Sequence, residues 1–274
     1  TTQALPEELE VIGSCYPKWW HRQDVGGLLE KEQLQLFEKN GVSSDAIRVD
    51  ILKQIGKSYE GHPLVIQVIA KDILDKPFNG NVQHYWRRYQ EEFNEIEREC
   101  DQRQETSSRT LKLRVKYRVE QSLQRLPTDA YKMLCRSAVY RRSVPEEFWI
   151  AMLEEFPKDK QWKALVILKS HNLAEEELRG DGLLLLKQHN LIRSVAKGLL
   201  KKGEDQEVWK SAERIAARVW LQNYESEADA PNLKKMRGKV EAFYHYREVE
   251  DWERAKRILI DEKLGKQLDT CLLY

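Results

Sequence analysis

The chain has 274 residues, 33% of them charged and 41% hydrophobic, and its mean hydropathy is -0.69. This length and the abundance of Leu, Glu, Lys and Arg predict a mainly helical protein with two domains or one elongated helical array. The 46 Lys and Arg nearly balance the 45 Asp and Glu, so the net charge of +1 excludes a global field that would attract nucleic acid or an anionic membrane.

The cysteines and the lack of targeting segments indicate a cytoplasmic protein. No CxxC pair occurs, so neither a zinc site nor a disulfide framework is predicted. No stretch approaches the ~20 consecutive apolar residues of a bilayer span, and no basic-then-apolar leader opens the sequence. The sequence begins with Thr1-Thr2-Gln3 rather than Met, which predicts that it belongs to a longer protein.

Apolar residues at helical spacing predict three helices in the first part of the chain, over residues 28–40, 45–55 and 63–74. The third is apolar on nearly all sides, which is typical of a buried helix. Residues 91–110 are highly charged and contain no glycine, which predicts a solvated helix followed by a linker.

The middle of the chain is predicted to form a winged helix. Helical spacing covers residues 111–126, and further helices are predicted from Pro127, from Pro145 and over 160–170. A glycine turn at residues 179–182 separates residues 173–177 from the apolar run 183–186, which is typical of a β-hairpin. Helices followed by such a hairpin make a winged helix, and His189 begins the next helix.

Three amphipathic helices are predicted beyond this region, over residues 207–223, 233–249 and 252–264. The short turn between the last two gives an antiparallel helix pair, which is the unit of a helical repeat. The small side chain of Ala255 suits a close helix crossing. The apolar side chains expected to lie buried between these helices are Trp220, Phe243, Tyr246, Trp252 and Ile258.

Gly56-Lys57-Ser58 matches the end of a P-loop, but its context argues against phosphate binding. A P-loop has a glycine five residues before this one, and the residue there is Ile51. It also follows a strand, whereas the preceding residues are predicted to be helical. We interpret Gly56 as a glycine near a helix C-terminus.

Two short motifs, and their order along the chain, resemble those of a known family. Gly61-His62-Pro63-Leu64 opens the buried helix and resembles the GLPL motif of NB-ARC ATPases. Gln188-His189-Asn190 follows the predicted winged helix and resembles the Met-His-Asp motif, with Gln188 and Asn190 in place of Met and Asp. The chain thus resembles a STAND/NB-ARC-type signalling ATPase of the bacterial, cyanobacterial-looking branch.

The resemblance implies an ADP/ATP site in the intact protein. Gly61, Pro63 and Leu64 would belong to it, with the Pro63 ring packed against the adenine. His189 would donate a hydrogen bond to the β-phosphate of ADP from the start of a helix. A helix cap is the alternative role of this histidine.

By the same resemblance, Thr1-Thr2-Gln3 is similar to the end of the sensor strand in the nucleotide-binding domain. Thr2 and Gln3 would then approach the γ-phosphate, with Gln3 where the family has an arginine. The expected divisions are the end of that domain at 1–27, an ARC-type helical subdomain at 28–106, a winged helix at 107–203 and a tetratricopeptide-like sensor from 204 to 274.

The implied function is a nucleotide-controlled switch in which the winged helix closes over ADP and the repeats sense a protein partner. The expected partners are the upstream nucleotide-binding domain, a protein ligand and, on activation, further copies of the protein, with neither membrane nor nucleic acid. No catalysis is expected from this chain alone, since it carries no P-loop, and no metal site is expected.

A winged-helix DNA-binding regulator is the alternative function. The basic run from Arg109 to Arg118 favours it, but the predicted recognition helix over 161–170 offers only Lys163 and Lys169 to read bases or hold phosphates.

Overall fold

The computed structural model describes residues 26–102, 107–202, 206–227 and 229–260. The chain is mainly helical and has one small three-stranded antiparallel sheet. None of the helices described is long and apolar enough to cross a bilayer. The predictions for residues 1–25, including Thr2 and Gln3, lie outside the described residues.

In order, the elements are α1 (Glu30–Lys39), α2 (Ala46–Ser58), α3 (Pro63–Leu74), α4 (Val82–Gln102), α5 (Ser107–Leu123), α6 (Thr128–Ser137), β1 (Val144–Pro145), α7 (Glu146–Ala151), α8 (Lys158–Ser170), β2 (Glu175–Leu178), β3 (Leu184–Lys187), α9 (Asn190–Lys202), α10 (Gln206–Asn223), α11 (Asn232–Lys235), α12 (Arg237–Glu248) and α13 (Trp252–Ile260).

The first helices pack around α3, which is buried as its apolar sequence predicts. Ile66, Ile69 and Ile73 are at most 1% exposed. Helix α1 packs on both α2 and α3, and α4 packs on α2. Burial of a nearly all-apolar helix by its neighbours removes a large apolar area from water. The beginning of α3 at Pro63 is thereby held in a fixed position.

Local signals at the helix ends agree with the predicted caps. Asn40 is the C-cap of α1, and Gly41 follows with a φ of 90°. The Asp45 carboxylate accepts the backbone N–H of Arg48 at 3.1 Å, so Asp45 is the N-cap of α2. Helix α2 continues to Ser58, beyond the predicted end at residue 55.

The predicted linker before the winged helix is wrong in part, because α5 already begins at Ser107. Helix α5 packs on both α3 and α9. It therefore joins the first group of helices to the later part of the chain, and the charged sequence around it serves this contact.

Arg118 on α5 is fully buried and sits in an ionic network. Its Nη2 lies 3.0 Å from Asp72 Oδ2 of α3, and it also contacts the hydroxyl of Tyr85. Burial alone would lower the pKa of Arg118, but Tyr85 and Asp72 raise it above its ordinary value. Ser122 of α5 and Arg125, two residues beyond its end, bind the same Asp72 oxygen at 2.6 and 3.0 Å.

The sheet has the order β1-β3-β2, with β3 in the centre. β2 and β3 form the predicted hairpin, in which Glu175 pairs with Lys187 and Leu178 pairs with Leu184. Gly182 in the turn has a φ of 86°, which favours glycine. β1 is not predicted from the sequence, because a strand of two residues has no readable alternation; its Val144 pairs with Leu186.

Helices α10, α12 and α13 pack against one another in sequence order. Trp220, Tyr246 and Ile258 are buried as predicted, at 2%, 8% and 3% exposure, and Phe243 is half-buried. The predicted burial of Trp252 is wrong, since its side chain is 59% exposed. Trp252 is the first residue of α13 and precedes the buried Ala255 by about one turn.

A buried acid–histidine pair joins α10 to α12. Glu213 and His245 are both 0% exposed, and Glu213 Oε2 lies 2.6 Å from His245 Nδ1. Because a carboxylate only accepts, Nδ1 carries the proton. Burial alone would raise the pKa of Glu213, but His245, Lys197 of α9 and Trp209 lower it below its ordinary value.

Glu213→Gln is expected to lower the free energy of unfolding at pH 7 by about 1.5–3 kcal/mol, because it removes a buried charge-assisted hydrogen bond. The lowered pKa of Glu213 means that its contribution is present above pH 4.5, the ordinary value, and is lost as the pH falls below it. Urea unfolding from pH 7 to pH 3 should therefore show the wild type and the variant converging in acid. Glu253→Gln, at an exposed position of α13, is the control and should have little effect. A constant difference at all pH values would contradict this role.

Candidate functional site

Gly61 forms the turn that brings the chain from α2 into α3. Its φ is 67°, and a Cβ added there would lie 2.3 Å from the Leu28 carbonyl oxygen and 2.7 Å from Gln33 Nε2. The backbone N–H of Leu28 donates to the Gly61 carbonyl at 3.0 Å. Both the left-handed conformation and the close backbone approach require glycine. Gly61 thus fixes the position of the residues that follow it.

Gly61→Ala is expected to lower the free energy of unfolding by about 1–3 kcal/mol, because alanine is strained at this φ and clashes with the Leu28 carbonyl. Gly26→Ala is the matched control, since a Cβ there meets nothing within 4 Å. Urea unfolding curves of both variants test this. Equal stability of the two variants would show that the turn adjusts without cost.

His62, Pro63 and Leu64 follow Gly61 with different exposures. His62 is the N-cap residue of α3 and is half-buried, and its Nδ1 has no hydrogen-bond partner among the described residues. Pro63 is the first residue of the helix and is exposed, so one face of its ring is open to a ligand. Leu64 is 6% exposed and packs into the core, so it anchors the first turn of α3.

His189 immediately precedes α9 and caps it. Its Nδ1 accepts the backbone N–H of Leu191 at 3.2 Å, and its carbonyl accepts the N–H of Arg193 at 2.9 Å. Because Nδ1 is an acceptor here, the proton of the neutral ring is on Nε2. The capping role considered from the sequence is thus compatible with a donor role, since the two roles use different nitrogens.

The segments of His62 and His189, far apart in the sequence, lie close together. Burial lowers the pKa of His62, and the proximity of His189 lowers it further. Contacts at the other end of α3 join it to the end of α8: His171 Nε2 lies 3.5 Å from Asp75 Oδ2, and Asn172 Nδ2 lies 3.4 Å from Asn40 Oδ1. Helix α5 packs on both α3 and α9 and so connects the helix that Pro63 begins to the helix that His189 precedes.

Gly56-Lys57-Ser58 lies within α2, as the sequence interpretation requires. A Cβ at Gly56 would lie 2.0 Å from Gln33 Oε1, so the glycine makes room for the Gln33 amide. Packing accounts for this glycine, and the helical backbone does not form a phosphate cradle.

Three of the basic residues that favour nucleic-acid binding, Arg114, Arg118 and Lys169, are engaged within the chain. Lys169 of α8 lies 2.5 Å from Glu146 and 2.6 Å from Glu176. Arg118 is fully buried, and Arg114 donates to the carbonyl of Ser58 at 3.1 Å. The exposed face of α8 instead carries large apolar side chains, Trp162 and Val166, at 46% and 60% exposure. These contacts remove three cations from those that could hold phosphates or read base edges.

Neither metal nor thiol chemistry is indicated in the described part of the chain. No group of three or more His, Cys, Asp or Glu residues there could hold a metal ion. Cys135 is buried, and this burial raises the pKa of its thiol to about 11, so it stays protonated near neutral pH.

Sequence reasoning missed a group of cations on the open face of α9. Arg193, Lys197 and Lys201 are spaced by four residues and line one cavity with a volume of about 370 Å³. Arg193 also lines a neighbouring cavity of about 300 Å³, together with Arg141 and Lys187. The four-residue spacing was a readable signal for the α9 residues. The contribution of Arg141 is visible only in the fold.

Comparison with known proteins adds no family to this description: no family model matches the sequence, and no curated protein is a significant match. The function is therefore argued from the residues and their geometry alone.

Proposed function

We propose that the chain is the nucleotide-sensing lid of an ADP/ATP-controlled STAND/NB-ARC-type signalling switch. The proposal rests on helix α5, which packs on both the helix that Pro63 begins and the helix that His189 precedes, and on the influence of His189 on the pKa of His62. These residues belong to the two motifs of the resemblance, and a ligand held by both would bind two distant parts of the chain together. Such a ligand stabilises a closed state.

The chemistry of the region suits a purine diphosphate. The exposed Pro63 ring offers a flat apolar surface for the adenine. His189 has its Nε2–H available for a phosphate oxygen while Nδ1 is held by the α9 cap. The phosphate cradle itself would come from a nucleotide-binding domain of the same protein, because no described residue forms a P-loop.

The order of the later elements supports the rest of the proposal. Helices α6, α7 and α8 with the strands β1, β2 and β3 follow the order of a winged helix, with the hairpin as its wing. Helices α10, α12 and α13 pack in succession, as in a tetratricopeptide-like array that senses a protein partner. In the cytoplasm, exchange of ADP for ATP would release the lid and allow copies of the protein to assemble.

Pro63→Ala tests the adenine contact in the protein that includes the nucleotide-binding domain. Loss of part of the ring surface should weaken ADP binding about 3- to 10-fold by area. Pro157→Ala, at an exposed proline before α8, is the matched control and should bind ADP as the wild type does.

Calorimetry on both forms of the protein separates the outcomes. The 274-residue chain alone should show no ATPase activity and at most very weak ADP binding. Micromolar ADP affinity of this chain alone, or an unchanged affinity of the intact Pro63→Ala variant, would contradict the proposed site.

A further inference from the structure

Two adjoining cavities lie along the start of α9, next to the loop before β1 and the end of β3. Their volumes are about 300 and 370 Å³, and they share Asn190 and Arg193. Neither His62, Pro63 nor His189 lines them. They are therefore separate from the proposed nucleotide site.

Cations dominate the walls of these cavities. Six lining side chains are Lys or Arg, and one, Glu177, is a carboxylate that lies 3.5 Å from Lys187 and accepts from Ser143 at 2.6 Å. Glu241 of α12 binds both Arg141 and Arg142, at 2.8 and 2.7 Å, so two cations there share one carboxylate. The region keeps an excess of positive charge, which favours an anionic ligand.

Arg193 lines both cavities, and its guanidinium group is oriented to bind an anion. Its Nε donates to the carbonyl of Ala138 at 3.1 Å, which orients the guanidinium group. Among the described residues no carboxylate forms an ion pair with it, and its two Nη groups have no hydrogen-bond acceptor. Burial lowers the pKa of Arg193, and so does Arg141, while Tyr244 and Glu213 act in the opposite direction. A dianion would remove the repulsion between the two arginines.

The side chain of Gln188 indicates that the ligand carries a hydrogen-bond donor. It is 7% exposed and lines the smaller cavity, and its Nε2 donates to the Leu134 carbonyl at 2.8 Å. Its Oε1 is buried without a hydrogen-bond partner among the described residues. A buried acceptor of this kind favours a ligand that carries a hydroxyl group. Gln188 and Asn190, the two departures from the family motif around His189, are both in the wall of this cavity.

We propose that these cavities bind a small phosphomonoester, with its phosphate on Arg193 and Arg141 and a hydroxyl group donating to Gln188. A phosphoryl group with a few attached carbons fits the volume of about 300 Å³. Cavities of this small volume, with Glu177 in the wall and Glu241 beside it, suit a small ligand better than the extended backbone of a nucleic acid. Binding at this site requires no nucleotide, so the test of this proposal is independent of the test of the proposed switch.

Calorimetric titration of the 274-residue chain at constant ionic strength tests the site, with glycerol 3-phosphate, inorganic phosphate and sulfate as probes. Glycerol 3-phosphate should bind saturably and more tightly than sulfate, which has no hydroxyl to donate at neutral pH. Arg193→Gln should weaken binding about tenfold or more through loss of the charged bidentate contact. Lys163→Gln, at an exposed lysine of α8, should leave binding unchanged.

Lys187→Gln provides a second variant at an exposed wall position in case Arg193→Gln fails to fold, and it should weaken binding about threefold. Absence of saturable binding would overturn the proposal. So would equal weakening by Lys163→Gln, because binding would then reflect general charge. Competition by a short DNA duplex at lower concentration than glycerol 3-phosphate would reassign the surface to nucleic acid.

Discussion

Replacing His189 by alanine in the protein that carries the nucleotide-binding domain is expected to accelerate ADP release by about 10- to 150-fold. The variant loses one hydrogen bond from Nε2 to a charged phosphate, worth about 1.5–3 kcal/mol. That energy is lost from the closed form, so at ~1.4 kcal/mol per tenfold the ratio of closed to open protein falls by the stated factor. The variant should also assemble without its activating signal. Stopped-flow release of a fluorescent ADP analogue measures the rate.

His189 also caps α9, so a control must separate capping from donation. Loss of the Nδ1 contact to Leu191 would cost about 1 kcal/mol of stability. His189→Asn offers a side-chain acceptor for the cap without an imidazole donor, because asparagine is a favoured N-cap residue. We expect His189→Asn to restore the melting temperature but not the slow release of ADP. A normal release rate in His189→Ala, with only its melting temperature lowered, would leave capping as the sole role of this residue.

The helices and their caps could be predicted because their signals are local. Asp45 precedes α2 and caps it, and the apolar sequence of α3 corresponds to its burial. The glycine turn predicts the β2–β3 hairpin. In each case the residues that decide the structure lie within a few positions of one another, which is the range that periodicity and capping rules cover.

The errors concern contacts between distant parts of the chain. The basic run on α5 favours nucleic-acid binding in the sequence, yet its Arg118 is fully buried and pairs with Asp72 of α3. Trp252 has a side chain typical of a core, but at the start of α13 it is 59% exposed. Neither outcome follows from spacing alone, since each depends on which elements pack together.

The sequence singles out individual residues of the candidate site but not their arrangement in space. Gly61 and His189 each stand out in the sequence by type and context, whereas their common region depends on how α5 packs on α3 and α9. The lowered pKa of His62 likewise depends on burial and on the proximity of His189. The cavities at Arg193 could not be predicted either, because they also depend on packing: Arg141 reaches them from another segment of the chain.

Asp72→Ala is expected to lower the free energy of unfolding by about 3–5 kcal/mol, because it leaves the charge of Arg118 buried without its nearest carboxylate. Asp72 Oδ2 is 3.0 Å from Arg118 Nη2, while the Glu92 carboxylate lies 3.5 Å from Nη1 and replaces it only in part. Arg118 stays protonated at neutral pH, because its pKa is raised above an ordinary value that is already high. The cost of burying its charge without Asp72 therefore remains. Urea unfolding at pH 7 measures the change. Asp50→Ala, at an exposed position of α2, is the control and should change stability by less than about 0.5 kcal/mol.

A double-variant cycle distinguishes an uncompensated charge from lost packing. If the buried guanidinium causes the cost, Asp72→Ala combined with Arg118→Met should be more stable than Asp72→Ala alone, because the methionine is apolar and of similar length. The cycle would then give a coupling of about 2–3 kcal/mol between the two positions. Simple additivity of the two single changes would mean that Arg118 is satisfied without Asp72. Since Asp72 lies on the helix that Pro63 begins, and α5 packs on the helix that His189 caps, strong coupling would also identify this network as a contact that holds the segments of Pro63 and His189 in position.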